Sequence, residues 1–149
     1  MQIVLVEPEI PQNTGSIARL AAATGASLHL VGKLGFSLED RYLKRAGLDY
    51  WPFVDLHLHE DFASFRDEAT PGNILAFSTH ASVSYTRARF APGDALVFGS
   101  ESRGLSDEIK EELAPLWNIP MPGTGVRSLN LANAVSIVLY EGLRQIGQV

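Results

Sequence analysis

Short apolar runs alternate with amphipathic stretches along the whole chain. Runs rich in β-branched or aromatic residues predict strands at residues 3–6, 28–31, 53–56, 73–79, 95–98 and 117–120. Helices are predicted between them: from Thr14 to a stop at Gly25, over a short basic segment ending near Gly47, over 61–68, after a cap at Ser106, and over 129–145. This alternation indicates an α/β fold with a mostly parallel sheet flanked by helices. No repeat or linker interrupts it, so we predict one domain, residues 1–149.

The last predicted helix is apolar on nearly every side, which is typical of a helix buried all round. Its apolar residues are Leu129, Leu131, Ala132, Ala134, Val135, Ile137, Val138 and Leu139. In a chain of this size we expect a second copy to cover one side, which predicts a homodimer. The alternative is a helix wrapped entirely by its own domain.

Composition excludes several classes of protein. Hydrophobic residues make up 46% and charged residues 19% of 149, which is ordinary globular usage. The 12 Lys+Arg against 17 Asp+Glu argue against indiscriminate binding of nucleic acid or anionic membranes, but they allow a local cationic patch. The absence of cysteine excludes a disulfide scaffold, a thiolate metal site and a cysteine nucleophile, and it is compatible with the cytosol.

We also predict no membrane segment. The longest uncharged, mainly apolar helical stretch, residues 128–140, is shorter than the roughly 20 residues that span a bilayer. The first residues have the pattern of a strand and lack the basic start of a signal peptide.

Familiar nucleotide and metal motifs are weak here. Gly123 and Gly125 are two of the three glycines of a dinucleotide fingerprint, but no second βαβ half follows them, and no P-loop is present. His57 and His59 could form a metal pair, yet spacing offers no third ligand, and exposed histidines at a strand end are the simpler interpretation. We therefore predict no metal.

Three polar segments remain, and each follows a predicted strand: 11–19, 98–105 and 119–135. Open α/β sheets bind ligands outside the carboxyl ends of their strands, so these segments are candidate site loops. Asn130 and Asn133 lie one turn apart in an apolar helix, so each needs a hydrogen-bond partner or a function, and simple capping is the alternative to a functional role.

In this order, the three segments resemble the three motifs of the SPOUT methyltransferases, in the SpoU/TrmH branch. The matching residues are Asn13 and Arg19, then Gly99, Glu101, Arg103 and Gly104, then Ser128, Leu129 and Asn130. Segments 7–15 and 44–51 are further similar to the TrmL group of that branch, which methylates the wobble nucleotide of tRNA.

The resemblance implies S-adenosylmethionine-dependent 2′-O-methylation of the wobble pyrimidine ribose in the tRNA anticodon loop. It also implies a C-terminal trefoil knot that holds the cofactor, a homodimer, and a cytoplasmic location. Another tRNA or rRNA nucleotide, or a non-catalytic RNA-binding relative, remains an alternative.

The resemblance further implies roles for individual residues. Cofactor contacts are expected at Phe77, Gly99, Ile119, Met121, Ser128 and Leu129. Arg19 is expected to activate the 2′-hydroxyl, with Asn13, Glu101 and Asn130 orienting Arg19 or the ribose. Because a guanidinium stays charged and is a poor base, we expect Arg19 to act electrostatically and to hold a phosphate.

The candidate RNA contacts are cationic or aromatic: Lys44, Arg45, Tyr50, Arg103 and Arg127. Tyr50 and Trp51 could stack an unpaired base, as in readers of single-stranded RNA, or could pack under the short basic helix.

Overall fold

A parallel sheet lies at the centre of the protein. The computed structural model describes residues 1–39, 41, 43 and 50–149. Its strands are β1 (Gln2–Val6), β2 (Ser27–Val31), β3 (Leu56–His59), β4 (Ile74–Ala76), β5 (Val83–Ser84), β6 (Ala95–Phe98) and β7 (Trp117–Asn118). The central sheet has the order β3-β2-β1-β6-β4, and every neighbouring pair is parallel. The short strands β5 and β7 form a separate parallel pair. The predicted α/β class is confirmed.

Helices cover both faces of this sheet. They are α1 (Pro11–Thr24), α2 (Phe62–Ala69), α3 (Asp107–Glu112) and α4 (Leu131–Gln145). On one face α1 and α4 bury a core that includes Ile3, Leu28, Ile17 and Val138. On the other face α2 and α3 pack over residues such as Val97. Successive strand residues point to opposite faces of the sheet. Because helices cover both faces, consecutive residues of β1 and β6 are buried. Among the described residues, no helix is long and apolar enough to cross a membrane.

The predicted strands 3–6, 28–31 and 95–98 are confirmed, but the third prediction, 53–56, is wrong. Trp51–Phe53 forms a short 3-10 helix instead, and the strand is β3, Leu56–His59. Its pairing with β2 joins Leu56 to Leu28 and His59 to Val31. The two histidines of β3 broke the apolar run that the prediction relied on, although one of them is buried.

Helix boundaries differ from the prediction by a few residues. The first helix begins at Pro11, whose missing N–H is harmless in a first turn, and Thr14 is buried inside it. Gly25 ends this helix in the left-handed conformation, as predicted. The predicted short basic helix ending near Gly47 lies largely outside the described residues.

The last helix is not wrapped on all sides by its own domain. Ile137 is 36% exposed and Tyr140 is 48% exposed, while Val135, Val138 and Leu139 are buried. Asn133 is also exposed, so it needs no internal partner, contrary to the expectation from its apolar surroundings.

Candidate functional site

A cavity of about 710 Å³ lies at the carboxyl ends of β1, β4 and β6. This volume is within the usual range for small-molecule sites. All the residues expected to contact a cofactor line this cavity: Phe77, Gly99, Ile119, Met121, Ser128 and Leu129. The sheet topology explains why these residues lie together, because the carboxyl ends of parallel strands lie at one edge of the sheet.

The candidate catalytic residues do not all lie there. Asn13, Glu101 and Asn130 line the cavity, but Arg19 does not. Arg19 follows Asn13 by six positions on α1, a rotation of about 240° around the helix. Its exposed guanidinium lies 5.5 Å from the centre of the Tyr50 ring. The structure therefore separates Arg19 from the other three.

Hydrogen bonds connect the three polar segments in one network. The Asn130 amide donates to Asn13 Oδ1 at 2.9 Å, and Asn13 Nδ2 donates to Glu101 Oε1 at 3.1 Å. Glu101 also accepts the backbone N–H of Glu9 at 2.8 Å and of Ile10 at 3.1 Å. A carboxylate only accepts, so the Asn13 nitrogen must face Glu101 and its oxygen must face Asn130. The network thus fixes the orientation of each amide.

Two of these residues also fix helix starts. Ile10, at the N-cap of α1, makes no side-chain capping bond, and the Glu101 carboxylate satisfies N–H groups there from a distant loop. Asn130 caps α4 by accepting the N–H of Ala132 at 2.9 Å and of Asn133 at 3.3 Å. Capping is therefore part of the role of Asn130, alongside its bond to Asn13.

The loop after β6 folds tightly on itself. Gly104 N–H donates to the Ser100 carbonyl at 2.9 Å, which brings Gly104 against Gly99. A Cβ at position 99 would lie 2.1 Å from the Gly104 carbonyl carbon, so only glycine fits there. Gly104 has a φ of 68°, in the left-handed region that favours glycine.

The candidate RNA contacts that the structure describes lie at the mouth of the cavity or away from it. Arg103 and Arg127 line the cavity and are exposed. Arg103 is within 3.7 Å of Glu7 and 3.9 Å of Glu9, which steady its side chain without burying it. Tyr50 is only partly exposed and its hydroxyl donates to the Gly15 carbonyl at 3.0 Å. Lys44 and Arg45 lie outside the described residues.

A second cavity, of about 490 Å³, lies beside the edge strand β3. Two of its histidines belong to a chain of hydrogen bonds, here called the relay. Ser27 Oγ is 2.9 Å from His29 Nε2, His29 Nδ1 is 2.9 Å from His59 Nε2, and His59 Nδ1 is 2.7 Å from Glu68. The expectation of exposed histidines is wrong for His59, which α2 helps to bury. Sequence spacing missed this relay because its members come from two strands and a helix.

Burial and the neighbouring His57 and His59 lower the pKa of His29 from 6.5 to about 4. His57 stacks on His29 with ring centres 4.7 Å apart. Within the described part of the chain, no group of three or more His, Cys, Asp or Glu is arranged to hold a metal ion.

Known proteins match this chain over nearly its whole length. The SpoU rRNA methylase family matches residues 1–140. A tRNA (cytidine(34)-2′-O)-methyltransferase from Polaromonas sp. (strain JS666) is 47% identical over 149 residues, covering 97% of this chain and 90% of that protein.

Solved structures agree with that match. A structure from work on the 2-OH methylation of C/U34 on tRNA is 52% identical, with a TM-score of 0.87 and coverage of 97% of this chain and 94% of that one. The SpoU methyltransferase AviRb from Streptomyces viridochromogenes, solved with the cofactor AdoMet, is 27% identical, with a TM-score of 0.87 and coverage of 97% and 60%. Residues from all three motifs line one cavity, and the family model matches residues 1–140, so the chain belongs to the SpoU rRNA methylase family.

Proposed function

We propose that this protein transfers the methyl group of S-adenosylmethionine to the 2′-hydroxyl of the wobble pyrimidine nucleotide, C34 or U34, of tRNA. The observation that carries the proposal is the cavity at the carboxyl ends of β1, β4 and β6, where all three motifs meet. The 47% identical Polaromonas enzyme is named for C34, which supports the choice of nucleotide.

The cavity suits this cofactor chemically. Phe77, Ile119, Met121 and Leu129 offer an apolar wall for an adenosine, and the Gly99 loop brings backbone atoms to the surface of the cavity. Ser128 adds a hydroxyl for the polar parts of the molecule. When bound, the cofactor supplies an electrophilic methyl group on a positively charged sulfur.

The remaining tasks belong to the residues of the chain. Arg19, outside the cavity wall and exposed, is assigned to the RNA side, where its guanidinium would hold a phosphate and favour ionisation of the 2′-hydroxyl. Glu101 accepts three N–H bonds, so it serves to hold α1 and Asn13 in place rather than to remove a proton. Asn13 and Asn130 act as positioning residues between the loops.

RNA binding on a chain with a net charge of −5 requires local cations. Arg103 and Arg127 at the mouth of the cavity are assigned to phosphate contacts, and Lys44 and Arg45 stay in the proposal on their sequence motif. The proposal also includes a cytoplasmic location, where a tRNA substrate would be met.

The proposal includes a homodimer and, from the family, a C-terminal trefoil knot. Exposed Ile137 and Tyr140 on α4 support a second copy against this helix. Light scattering should give twice the 16.2 kDa mass of one chain, and Tyr140→Asp should give a monomer. A monomeric wild-type protein would contradict the dimer.

Two measurements test the function. Titration calorimetry should detect S-adenosylhomocysteine binding at about one per subunit, with NADH as a silent control. Methylation should then occur on a tRNA transcript carrying C34 and should not occur on one whose C34 ribose is already 2′-O-methylated. Methylation mapped to another nucleotide would favour a different enzyme of the family, and RNA binding without turnover would favour a non-catalytic relative.

A further inference from the structure

Tyr50 makes two contacts with α1, and both involve the surroundings of Arg19. The Arg19 guanidinium carbon lies 5.5 Å from the centre of the Tyr50 ring. The Tyr50 hydroxyl donates to the Gly15 carbonyl at 3.0 Å. In an α-helix, the carbonyl of residue 15 is also the acceptor for the backbone N–H of residue 19, so Tyr50 and the Arg19 backbone share one acceptor.

We propose that Tyr50 is a positioning residue that fixes the guanidinium of Arg19 for contact with the RNA. The inference rests on the proposed function and adds to it a residue outside the three motifs. It differs from the base stacking and the packing considered from the sequence, because the Arg19 guanidinium lies over one face of the ring.

The cation–π attraction holds the positive charge of the Arg19 guanidinium near the Tyr50 ring without using any of its N–H donors. Its N–H donors point outward in the plane of the group and stay free for a phosphate or a ribose hydroxyl. An exposed arginine without such a ring would sample many rotamers and would have to lose that freedom when RNA binds. Tyr50 therefore orders Arg19 before the substrate arrives and leaves its hydrogen-bonding edge available.

The hydroxyl bond adds a further restraint on the ring, which is already packed against the core. Burial raises the pKa of the Tyr50 phenol, with the charge of Arg19 acting in the opposite direction. The phenol is accordingly protonated at neutral pH and can donate to the Gly15 carbonyl. Ring and arginine are thus held by the same turn of α1.

The test separates the ring from the hydroxyl. Tyr50→Phe keeps the ring and should retain kcat within a few-fold, whereas Tyr50→Leu should lower kcat by about tenfold at saturating tRNA and cofactor. S-adenosylhomocysteine affinity should not change, because neither Tyr50 nor Arg19 lines the cofactor cavity. Phe53→Leu is the matched control, since Phe53 is 75% exposed on the same turn.

A double-mutant cycle distinguishes positioning from general stabilisation. In an Arg19→Leu background, Tyr50→Leu should cost no further kcat, because the group that it positions is gone. An equal loss in both backgrounds, or a raised KM for tRNA that persists without Arg19, would overturn the proposal in favour of folding or base stacking.

The geometry has a readout that does not need turnover. In the NMR spectrum, ring-current shifts of the Arg19 side chain should be present in the wild type and in Tyr50→Phe and lost in Tyr50→Leu. If the wild type methylates no tRNA while these shifts are present, the proposed function fails and the Tyr50–Arg19 contact stands without its catalytic purpose. If the shifts are absent from the wild type, the inference about Tyr50 fails whatever the activity.

Discussion

The side-chain amide of Asn130 donates a hydrogen bond of 2.9 Å to Asn13, although 117 positions separate the two residues. Asn13 in turn donates a hydrogen bond to Glu101 in the loop after β6. The cavity and the start of α1 are therefore held by one set of hydrogen bonds, and a change at the start of α4 should affect the other two segments.

Replacing Asn130 tests its two roles separately. Asn130→Ser keeps a good cap for α4 but is too short to reach Asn13, so stability should change little while S-adenosylhomocysteine affinity falls. Asn130→Ala loses the cap as well and should lower the free energy of unfolding by about 1 kcal/mol more. Urea denaturation and calorimetry on both variants measure the two effects. Equal affinity for wild type and Asn130→Ser would show that the bond to Asn13 is dispensable.

Glu101→Gln should reduce stability because it places an amide NH₂ against N–H donors. Its carboxylate accepts from Glu9, Ile10 and Asn13, and one lost acceptor of this kind costs about 1–3 kcal/mol. Exposed Glu108→Gln on α3 is the control and should cost no more than the roughly 0.3–1 kcal/mol of a negative charge in a first helical turn. Residual activity in Glu101→Gln should keep the pH–rate profile of the wild type. Loss of one limb of that profile would instead make Glu101 a proton acceptor.

Two glycines five positions apart should respond differently to alanine. Gly99→Ala puts a methyl carbon 2.1 Å from backbone of the same loop, and we expect it to abolish detectable S-adenosylhomocysteine binding. Gly104→Ala meets no atom within 4 Å and carries only the strain of a positive φ, which costs about 1–2 kcal/mol. Calorimetry on both variants checks this order, and comparable binding by the two would refute the steric argument.

The free energy of unfolding should decrease as the pH falls below 6.5, because of His29. The pKa of His29 is lowered from 6.5 to about 4, so the unfolded chain takes up a proton over this range and the folded chain does not. The stabilisation is complete above pH 6.5 and is lost below it at a rate approaching about 1.4 kcal/mol per pH unit. Urea titrations at pH 7, 6 and 5 should show this slope.

The controls for this slope are two histidine variants. His29→Gln should flatten it, and His80→Gln, at an exposed position, should keep it. The series ends at pH 5 because hydrogen bonds from Arg144 and Gln145 lower the pKa of Glu141 from 4.5 to about 2, and that contribution is lost below pH 4.5. Identical slopes in all three proteins would exclude His29 as the titrating group.

The order of elements was predictable from local pattern, and the residues that line the cavity were expected from the resemblance to a known family. Strands such as 95–98 are short, apolar and bounded by glycine, and the loops that follow them had to meet at one edge of the sheet. The β3 strand was misplaced because its alternating histidines resemble an exposed segment until their partners are known.

The position of Arg19 could not be predicted in the same way. Its motif places it beside Asn13 in sequence, but the rotation of α1 directs the two side chains to different sides. Its contact with Tyr50 joins α1 to a residue outside the three motifs, and sequence spacing alone does not show such a contact. Likewise, the tertiary cap that Glu101 gives to α1 joins residues about ninety positions apart.

The order in which a ribosome adds residues has a consequence for this cavity. Its walls include Ile10, Asn13 and residues 98–105, but Met121, Leu129 and Asn130 are added much later. A nascent chain that ends before residue 119 holds Asn13 and Glu101 and lacks the closing wall. A ligand at 100 times its Kd would stabilise the elongated chain by about 2.7 kcal/mol and leave the shorter one unprotected. Cofactor bound at this cavity would therefore stabilise only chains that extend through residues 119–134.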